Sequence, residues 1–243
     1  MRYAIISDIH SNIESFDVIL LEIEKESPDR ILFLGDIVGY GPEPSECIKK
    51  IKETTDVILV GNHDHAAAGL TDISYFNPDA KEALEWTIGR LTEEEKTYLS
   101  RLPLTGELTA DDIFLVHSTP KRPQEWNYIF TIEDVIESFE YFEQRVCFSG
   151  HSHVPVIIAM DVSGGIDILK DEARIEKDSR YLINVGSVGQ PRDGNPDAAY
   201  ALYDLEESTV KIKRVSYNYH KTQEKMRKAG LPDYLINRLS AGR

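Results

Sequence analysis

Cysteine is scarce: the 243 residues hold two, Cys47 and Cys147, with no metal-ligand or redox spacing between them. That excludes a disulfide-stapled framework and a thiolate metal cage, and fits apolar fillers in a protein of the reducing cytoplasm. No apolar run approaches the roughly 18 residues of a membrane span, and no charged leader with an apolar core precedes the first strand, so neither a membrane nor export by that route is expected. Basic residues are few, 27 Lys plus Arg against 42 Asp plus Glu, for a net charge of −15. This balance argues against bulk nucleic acid as a partner and for a soluble protein with a small ligand. It does not exclude phosphate chemistry, because bound divalent cations dominate their local field. Internal repeats, low-complexity segments and linkers are also missing, and residues 1–243 read as one domain with a substantial core.

What the chain does have is alternation. Residues 3–7 are an apolar run too short for a helix, read as a buried parallel strand, and Asp8-Ile9-His10 stands at its end. Ser11-Asn12-Ile13-Glu14 has the form of a capping box, and Ile13, Phe16, Leu20 and Ile23 recur at helical spacing until Pro28. A second strand at 31–34 closes in Gly35-Asp36, a helix follows over 44–52, and a third strand at 57–60 closes in Gly61-Asn62-His63-Asp64. From Asp8 to Asp36 is 28 residues and from Asp36 to Asn62 is 26, near the roughly 30 of one βαβ unit. Residues 78–102 read as two helical pieces, the second capped by Thr92-Glu93-Glu94-Glu95. A fourth strand at 113–116 ends in His117, an amphipathic helix spans 131–144, and a fifth strand at 146–149 feeds Gly150-His151-Ser152-His153. From 156 onward strand follows strand, at 156–162, 166–169, 181–185, 199–205 and 210–215, suggesting an antiparallel second sheet. The tail from Tyr219 reads as two short helices broken at Gly230-Leu231-Pro232, with a solvated charged surface.

Ligands of open parallel sheets sit beyond the carboxyl ends of the strands, which is where these polar clusters fall. Singly they are ordinary: Asp8-x-His10 can be a cap followed by a surface imidazole, and Gly61 to Asp64 a turn. Together they place five of the seven histidines, two carboxylates and an asparagine at consecutive strand ends. An oxygen and imidazole donor set without thiolate suits manganese, iron or zinc.

In this order, Asp8-x-His10, Gly35-Asp36, Gly61-Asn62-His63-Asp64, His117 and Gly150-His151-Ser152-His153 resemble the calcineurin-like metallophosphoesterase family, and Asn184 to Arg192 resembles a loop of its smaller bacterial and archaeal members. The resemblance implies a four-layer α/β sandwich of two mixed sheets flanked by helices. It implies two divalent metal ions, one held by Asp8, His10, Asp36 and His153, the other by Asp36, Asn62, His117 and His151, with Asp36 bridging. Implied too is hydrolysis of a small phosphorylated molecule, whether a phosphodiester, a nucleotide or a dinucleoside polyphosphate, by a metal-bridging hydroxide attacking phosphorus. His63 is then expected at the phosphoryl group or leaving oxygen, with Asp64 orienting its imidazole. Three residues are candidates for substrate contact. Asn12 could reach phosphate from the first loop, Arg192 could bind it bidentately, and Tyr40 could stack on a base. His65 is read as a neighbour of the site rather than a member, and His220 is assigned nothing. Two other readings stand beside this one: a catalytically silent scaffold of the same fold that binds proteins, and a phosphoprotein phosphatase.

Overall fold

In β1 (Arg2–Ile6) Tyr3 and Ile5 point to one face and Ala4 and Ile6 to the other, and both sets are fully buried. A strand apolar on both faces must lie in a sheet covered on both sides. The computed structural model describes residues 1–243 and shows the two covers. Tyr3 and Ile5 meet a second sheet, while Ala4 and Ile6 meet helices.

The first sheet has five strands in the order β2-β1-β10-β11-β8, with β2 Arg30–Phe33, β8 Glu172–Arg174, β10 Ala198–Asp204 and β11 Thr209–Val215. The second has six, ordered β3-β4-β5-β9-β6-β7: β3 Thr105–Leu108, β4 Ile113–Val116, β5 Val146–Ser149, β6 Val156–Asp161, β7 Ile166–Leu169 and β9 Ser179–Asn184. The pairs β1–β2, β4–β5 and β5–β9 are parallel and the other pairs antiparallel, so both sheets are mixed. Their inner faces interdigitate through Leu32, Leu34, Leu115, Phe148, Ile183 and Tyr203. Outside the first sheet lie α1 (Ile13–Glu26) and α2 (Pro44–Thr54), which bury Phe16, Ile19, Ile23, Cys47, Ile48 and Ile51 against it. Outside the second, α6 (Ile132–Phe139) covers Phe114, Cys147 and Leu182 with Val135 and Phe139. The remaining helices are α3 Asn62–Ala67, α4 Pro78–Ile88, α5 Glu93–Leu99, α7 Tyr219–Ala229 and α8 Asp233–Ala241. Both cysteines are buried and unpaired, and no helix is long and apolar enough to cross a membrane.

Several sequence expectations change. The strands after 156 form no sheet of their own: β6, β7 and β9 extend the sheet of β4 and β5, whereas β10 and β11 complete the sheet of β1. Residues 57–60 make only an isolated bridge, Phe33 to Ile58, and β3 and β8 were not anticipated because they are short and weakly patterned. The expected helix over 131–144 ends at Phe139. Arg180 there donates to the carbonyls of Phe139, at 3.0 Å, and Phe142, and lies over both rings, so the following turn is tied to β9 instead of continuing the helix.

The cap of α1 is Asn12, one residue later than the capping-box reading. Its side-chain oxygen accepts from the Ser15 amide at 3.3 Å, and Glu14 is freed to face the C-terminal helices. There Glu14 pairs with Lys225 and, at 3.1 Å, with Lys221. Burial raises the Glu14 carboxyl, but the two lysines outweigh it and hold it below its ordinary value near 4.5. The expected solvated tail is therefore docked, with Thr222, Gln223, Met226, Leu235, Ile236 and Leu239 buried. A carboxyl depressed on folding stabilises above its unfolded pKa, and the contribution is lost as pH falls through the folded one. Glu14→Gln should accordingly cost about 1 kcal/mol in urea melts at pH 7, with the difference from wild type shrinking below pH 4.5. A deficit that stays constant down to pH 3 would contradict the ion-pair account.

Candidate metal centre

Four strands and the singly bridged segment 57–60 lead to one edge. Asp8 and His10 follow β1, Asp36 follows β2, Asn62 opens α3, His117 follows β4, and His151 and His153 follow β5. The loops are laced to one another by main-chain bonds: Asp8 N to Gly35 O at 2.9 Å, His10 N to Asp36 O at 3.0 Å and Gly150 N to His117 O at 2.9 Å. The two sheets are joined where the His151 amide donates to Asp8 Oδ2 at 3.0 Å. Asp8, His10, Asp36, His151 and His153 all adopt left-handed backbone, with φ between 49° and 67°. For side chains with a Cβ this costs about 1–2 kcal/mol each, so the strain is concentrated at this edge. Gly150 is required by close approach: a Cβ there would strike Ser7 Oγ and Asp8 Oδ2.

Four imidazoles of the cluster, those of His10, His117, His151 and His153, each have one nitrogen on a main-chain carbonyl. His10 Nδ1 donates to Val38 O at 3.0 Å, His117 Nδ1 to Leu34 O at 3.1 Å, and His153 Nδ1 to Gln190 O at 2.6 Å. His151 is turned the other way, donating from Nε2 to Trp126 O at 2.9 Å. A carbonyl only accepts, so the bonded nitrogen carries the hydrogen and, in the neutral ring, the other presents a lone pair. Those lone pairs converge. His10 Nε2 lies 3.0 Å from His153 Nε2, and Asp8 Oδ1 lies 3.1 Å from His153 Nε2 and 3.6 Å from His10 Nε2. Asp8 Oδ1 is fully buried without a hydrogen-bond donor. Nearby, Asp36 Oδ2 sits 3.3 Å from His117 Nε2 and 3.6 Å from His10 Nε2, and Asn62 Oδ1 lies 3.3 Å from His117 Nε2. Acceptors facing acceptors out of reach of water repel unless a cation lies among them. The residues therefore fit metal. Asp8, His10 and His153 form one group whose donor atoms lie within 4.8 Å of one another, and Asp36, His117 and His151 form another.

Electrostatics follow from this crowding. Burial raises Asp8 and Asp36, but the surrounding histidines outweigh it and keep both carboxyls well below the ordinary range. Burial lowers His117, yet Asp36 and Asp8 pull it up to about 9. For His151 burial and the His117 charge lower the ring to about 4, and for His153 burial and the Arg192 charge lower it to about 3. The last two rings are thus neutral and ready to donate lone pairs.

Three expected roles need correction. Asp64 does not orient His63. Its carboxylate accepts from the amides of Asp36 at 2.8 Å, Val38 at 3.0 Å and Gly61 at 3.2 Å, while His63 Nδ1 has no partner. Asn12 has no group left for substrate: its amide donates to Gly189 O and Tyr217 Oη, and its oxygen accepts from Ser15 N and Thr222 Oγ1. Tyr40 has no open face for a base, since its ring is buried against His10 and His63, at 4.6 and 4.4 Å between centroids, and under Arg192. Arg192 is at the rim, its amide bonded to His153 O at 3.2 Å. His65 bonds Thr71 and stays outside the cluster. The sequence reading missed Trp126, whose carbonyl sets the His151 tautomer, and Tyr128, which stacks on the His151 ring at 4.0 Å. Their only signal was a loop after His117.

Two facing mixed sheets thus carry at one edge a histidine, carboxylate and asparagine cluster that could hold metal. The chain belongs to the calcineurin-like phosphoesterase superfamily, whose domain model matches residues 1–208. A metallophosphoesterase structure from Sphaerobacter thermophilus is 38% identical, with 100% of this chain and 99% of that one covered and a TM-score of 0.87. An uncharacterised protein of Methanocaldococcus jannaschii is 38% identical over 99% of this chain and 98% of its own. The structure of a hypothetical protein from Pyrococcus horikoshii, 23% identical, shares the fold with a TM-score of 0.80, covering 100% of this chain and 98% of that one.

Asp64→Ala removes the acceptor of three buried amides, each costing about 1–3 kcal/mol when left unsatisfied. Denaturant unfolding should show a loss of about 3 kcal/mol or more, and an Asp64→Ala protein as stable as wild type would overturn the tethering role.

Proposed function

We propose that the chain is a metal-dependent phosphoester hydrolase for small phosphorylated molecules, with two divalent cations, manganese, iron or zinc, shared through Asp36. The observation that carries this reading is the buried approach of His10 Nε2 and His153 Nε2, 3.0 Å apart, beside the donorless Asp8 Oδ1. Asp8, His10, Asp36 and His153 would hold one cation, and Asp36, Asn62, His117 and His151 the other. When bound, such a pair supplies an activated water at neutral pH and neutralises charge on a phosphoryl group during in-line displacement.

The chain's own residues do the rest. The carbonyls of Val38, Leu34, Gln190 and Trp126 orient four imidazoles, which is how outer partners fix ligand geometry in metal sites. Asp36 Oδ1 accepts the His63 amide at 2.8 Å, which seats that ring between Tyr40 and Phe76. Gly39, with φ of 92°, leaves the space the ring occupies, because a Cβ would meet His63 Nδ1. Burial keeps His63 well below its usual pKa, so it meets the substrate as a neutral ring. An anionic phosphoryl oxygen beside it favours the protonated form, and we assign His63 to stabilising that oxygen or passing a proton to the leaving group. Arg192 supplies a fixed cation at the rim. We take residues 1–243 as one functional domain, supported by the docking of α7 on α1 and of α8 on α7 and Tyr40. The complete donor set together with His63 weighs against a silent scaffold, and no recognition insertion favours a phosphoprotein phosphatase.

Hydrolysis of bis-p-nitrophenyl phosphate by metal-reconstituted protein tests the activity, and absence of turnover with manganese, iron, cobalt, nickel and zinc would reject it. His63→Ala should retain the wild-type metal content while kcat falls about a hundredfold or more, the usual worth of a proton-transferring side chain. Loss of metal in that variant would instead make His63 a ligand. Asp36→Asn should lose metal and turnover together, and a fully loaded, active Asp36→Asn protein would remove the shared carboxylate from the account.

A further inference from the structure

Buried side-chain polar atoms without a partner in the protein gather at one place. Seven residues carry one, and six of them, Ser7, Asp8, Ser11, His63, Trp126 and Gln190, flank the metal cluster. Folded proteins rarely leave such atoms unpaired, so each calls for a reason. Asp8 and His63 already have one in the donor set and the substrate. Gln190, only 1% exposed, has a main chain clamped to the cluster. Its amide donates to Ser187 Oγ at 2.8 Å, and that hydroxyl donates to the Asp8 carbonyl at 2.9 Å. Its carbonyl accepts from His153 Nδ1 at 2.6 Å. The preceding Gly189 amide donates to the Asp8 carbonyl at 2.8 Å, and a Cβ there would strike the Ile9 carbonyl, so the loop has no room to shift toward β1.

From this fixed main chain the Gln190 side chain reaches Arg192, whose Nε and Nη2 both donate to its Oε1, at 3.3 and 2.8 Å. A guanidinium only donates, so the amide oxygen must face it, and the Gln190 Nε2 is left without an acceptor in the protein. A buried amide that gives its oxygen to one arginine and leaves its own donors unpaired is placed for that arginine. Acidic residues outnumber basic ones 42 to 27, yet Arg192 pairs with no Asp or Glu carboxylate. Its guanidinium lies 5.5 Å over the Tyr40 ring, which packs on His10 and His63, and its amide donates to the His153 carbonyl at 3.2 Å. The cation is thus held beside the cluster by a neutral acceptor. A carboxylate would hold it as firmly but cancel its charge, whereas glutamine holds it and leaves the charge for an anion.

We propose that Gln190 is a positioning residue: through Oε1 it fixes the Arg192 guanidinium while leaving its charge uncompensated, so that this cation attracts the anionic oxygens of a bound phosphoryl group. This rests on the phosphoester hydrolase reading above and adds a residue to it. The test dialyses inorganic phosphate to equilibrium against manganese-loaded wild type, Gln190→Met, Gln190→Glu, Arg192→Met and the variant combining Gln190→Met with Arg192→Met. Gln190→Met and Arg192→Met should each weaken phosphate about tenfold or more, the usual worth of a hydrogen bond to a charged group. The combined variant should bind no more weakly than Arg192→Met alone, because Gln190 acts through the arginine. Gln190→Glu keeps the acceptor and cancels the charge, so it should weaken phosphate as Gln190→Met does. With bis-p-nitrophenyl phosphate the Gln190 variants should raise KM more than they lower kcat, as expected for lost ground-state binding. Unchanged phosphate affinity in Gln190→Met, the same loss whether or not Arg192 is present, or a Gln190→Glu protein that binds phosphate like wild type would overturn the proposal. Manganese content and melting temperature identify a misfolded Gln190→Met, in which case Gln190→Glu decides alone, since a packing role predicts no loss there. Failure of the underlying reading shows separately, as wild type without metal-dependent turnover of bis-p-nitrophenyl phosphate, while the dialysis comparison still judges Gln190.

Discussion

Lone pairs buried against one another are the constraint on which the structure turns. Four imidazoles are each pinned by one nitrogen to a main-chain carbonyl, which sends the other nitrogen toward Asp8, Asp36 or Asn62. In water such groups would turn away and hydrate. Here the loops forbid it, and a metal cation among the donors would relieve the repulsion. The same constraint explains why the charges sort as they do. His117 is pulled toward its charged form beside Asp36, whereas His151 and His153, more strongly governed by burial, stay neutral.

Holding that arrangement requires strain and a stiff frame. Five of the clustered residues adopt left-handed backbone, and Gly150 and Gly39 make room where a methyl group would collide with Asp8 or His63. The two-sheet core resists relaxation, since the loops leave strands whose side chains are buried on both faces. Asp64 ties the loop after β2 to the start of α3 through three amides, and the C-terminal helices brace the start of α1 through Thr222 and Glu14 and the loop after β2 through Tyr40. Residues far apart in sequence therefore cooperate to keep a repulsive constellation in place.

Much of this was legible in the sequence because it follows from local rules. Apolar runs ending in Asp8, Asp36, His117 and His151 stand out without tertiary information, and the resemblance supplied their grouping. Other features depend on tertiary partners. Whether β9 joins β5 and β10 joins β1 is decided by which sheet edge is open, a choice that strand patterning does not encode. Asp64 read as a partner for the adjacent His63, but adjacency on a helix start sends the two side chains in different directions, and the carboxylate found unpaired amides instead. Tyr40 looked like a free aromatic until α8 covered it. The tail looked solvated because its lysines and glutamates hide a buried stripe of Met226, Leu235, Ile236 and Leu239. Trp126 acts through its main-chain carbonyl, for which side-chain identity gives no signal.

The most direct test of a shared two-cation centre is anomalous diffraction from crystals soaked in manganese. Two anomalous peaks about 3.5–4 Å apart are expected, one against Asp8, His10 and His153 and the other against Asn62, His117 and His151, with the Asp36 carboxylate between them. A single peak, or peaks outside this cluster at saturating manganese, would contradict it.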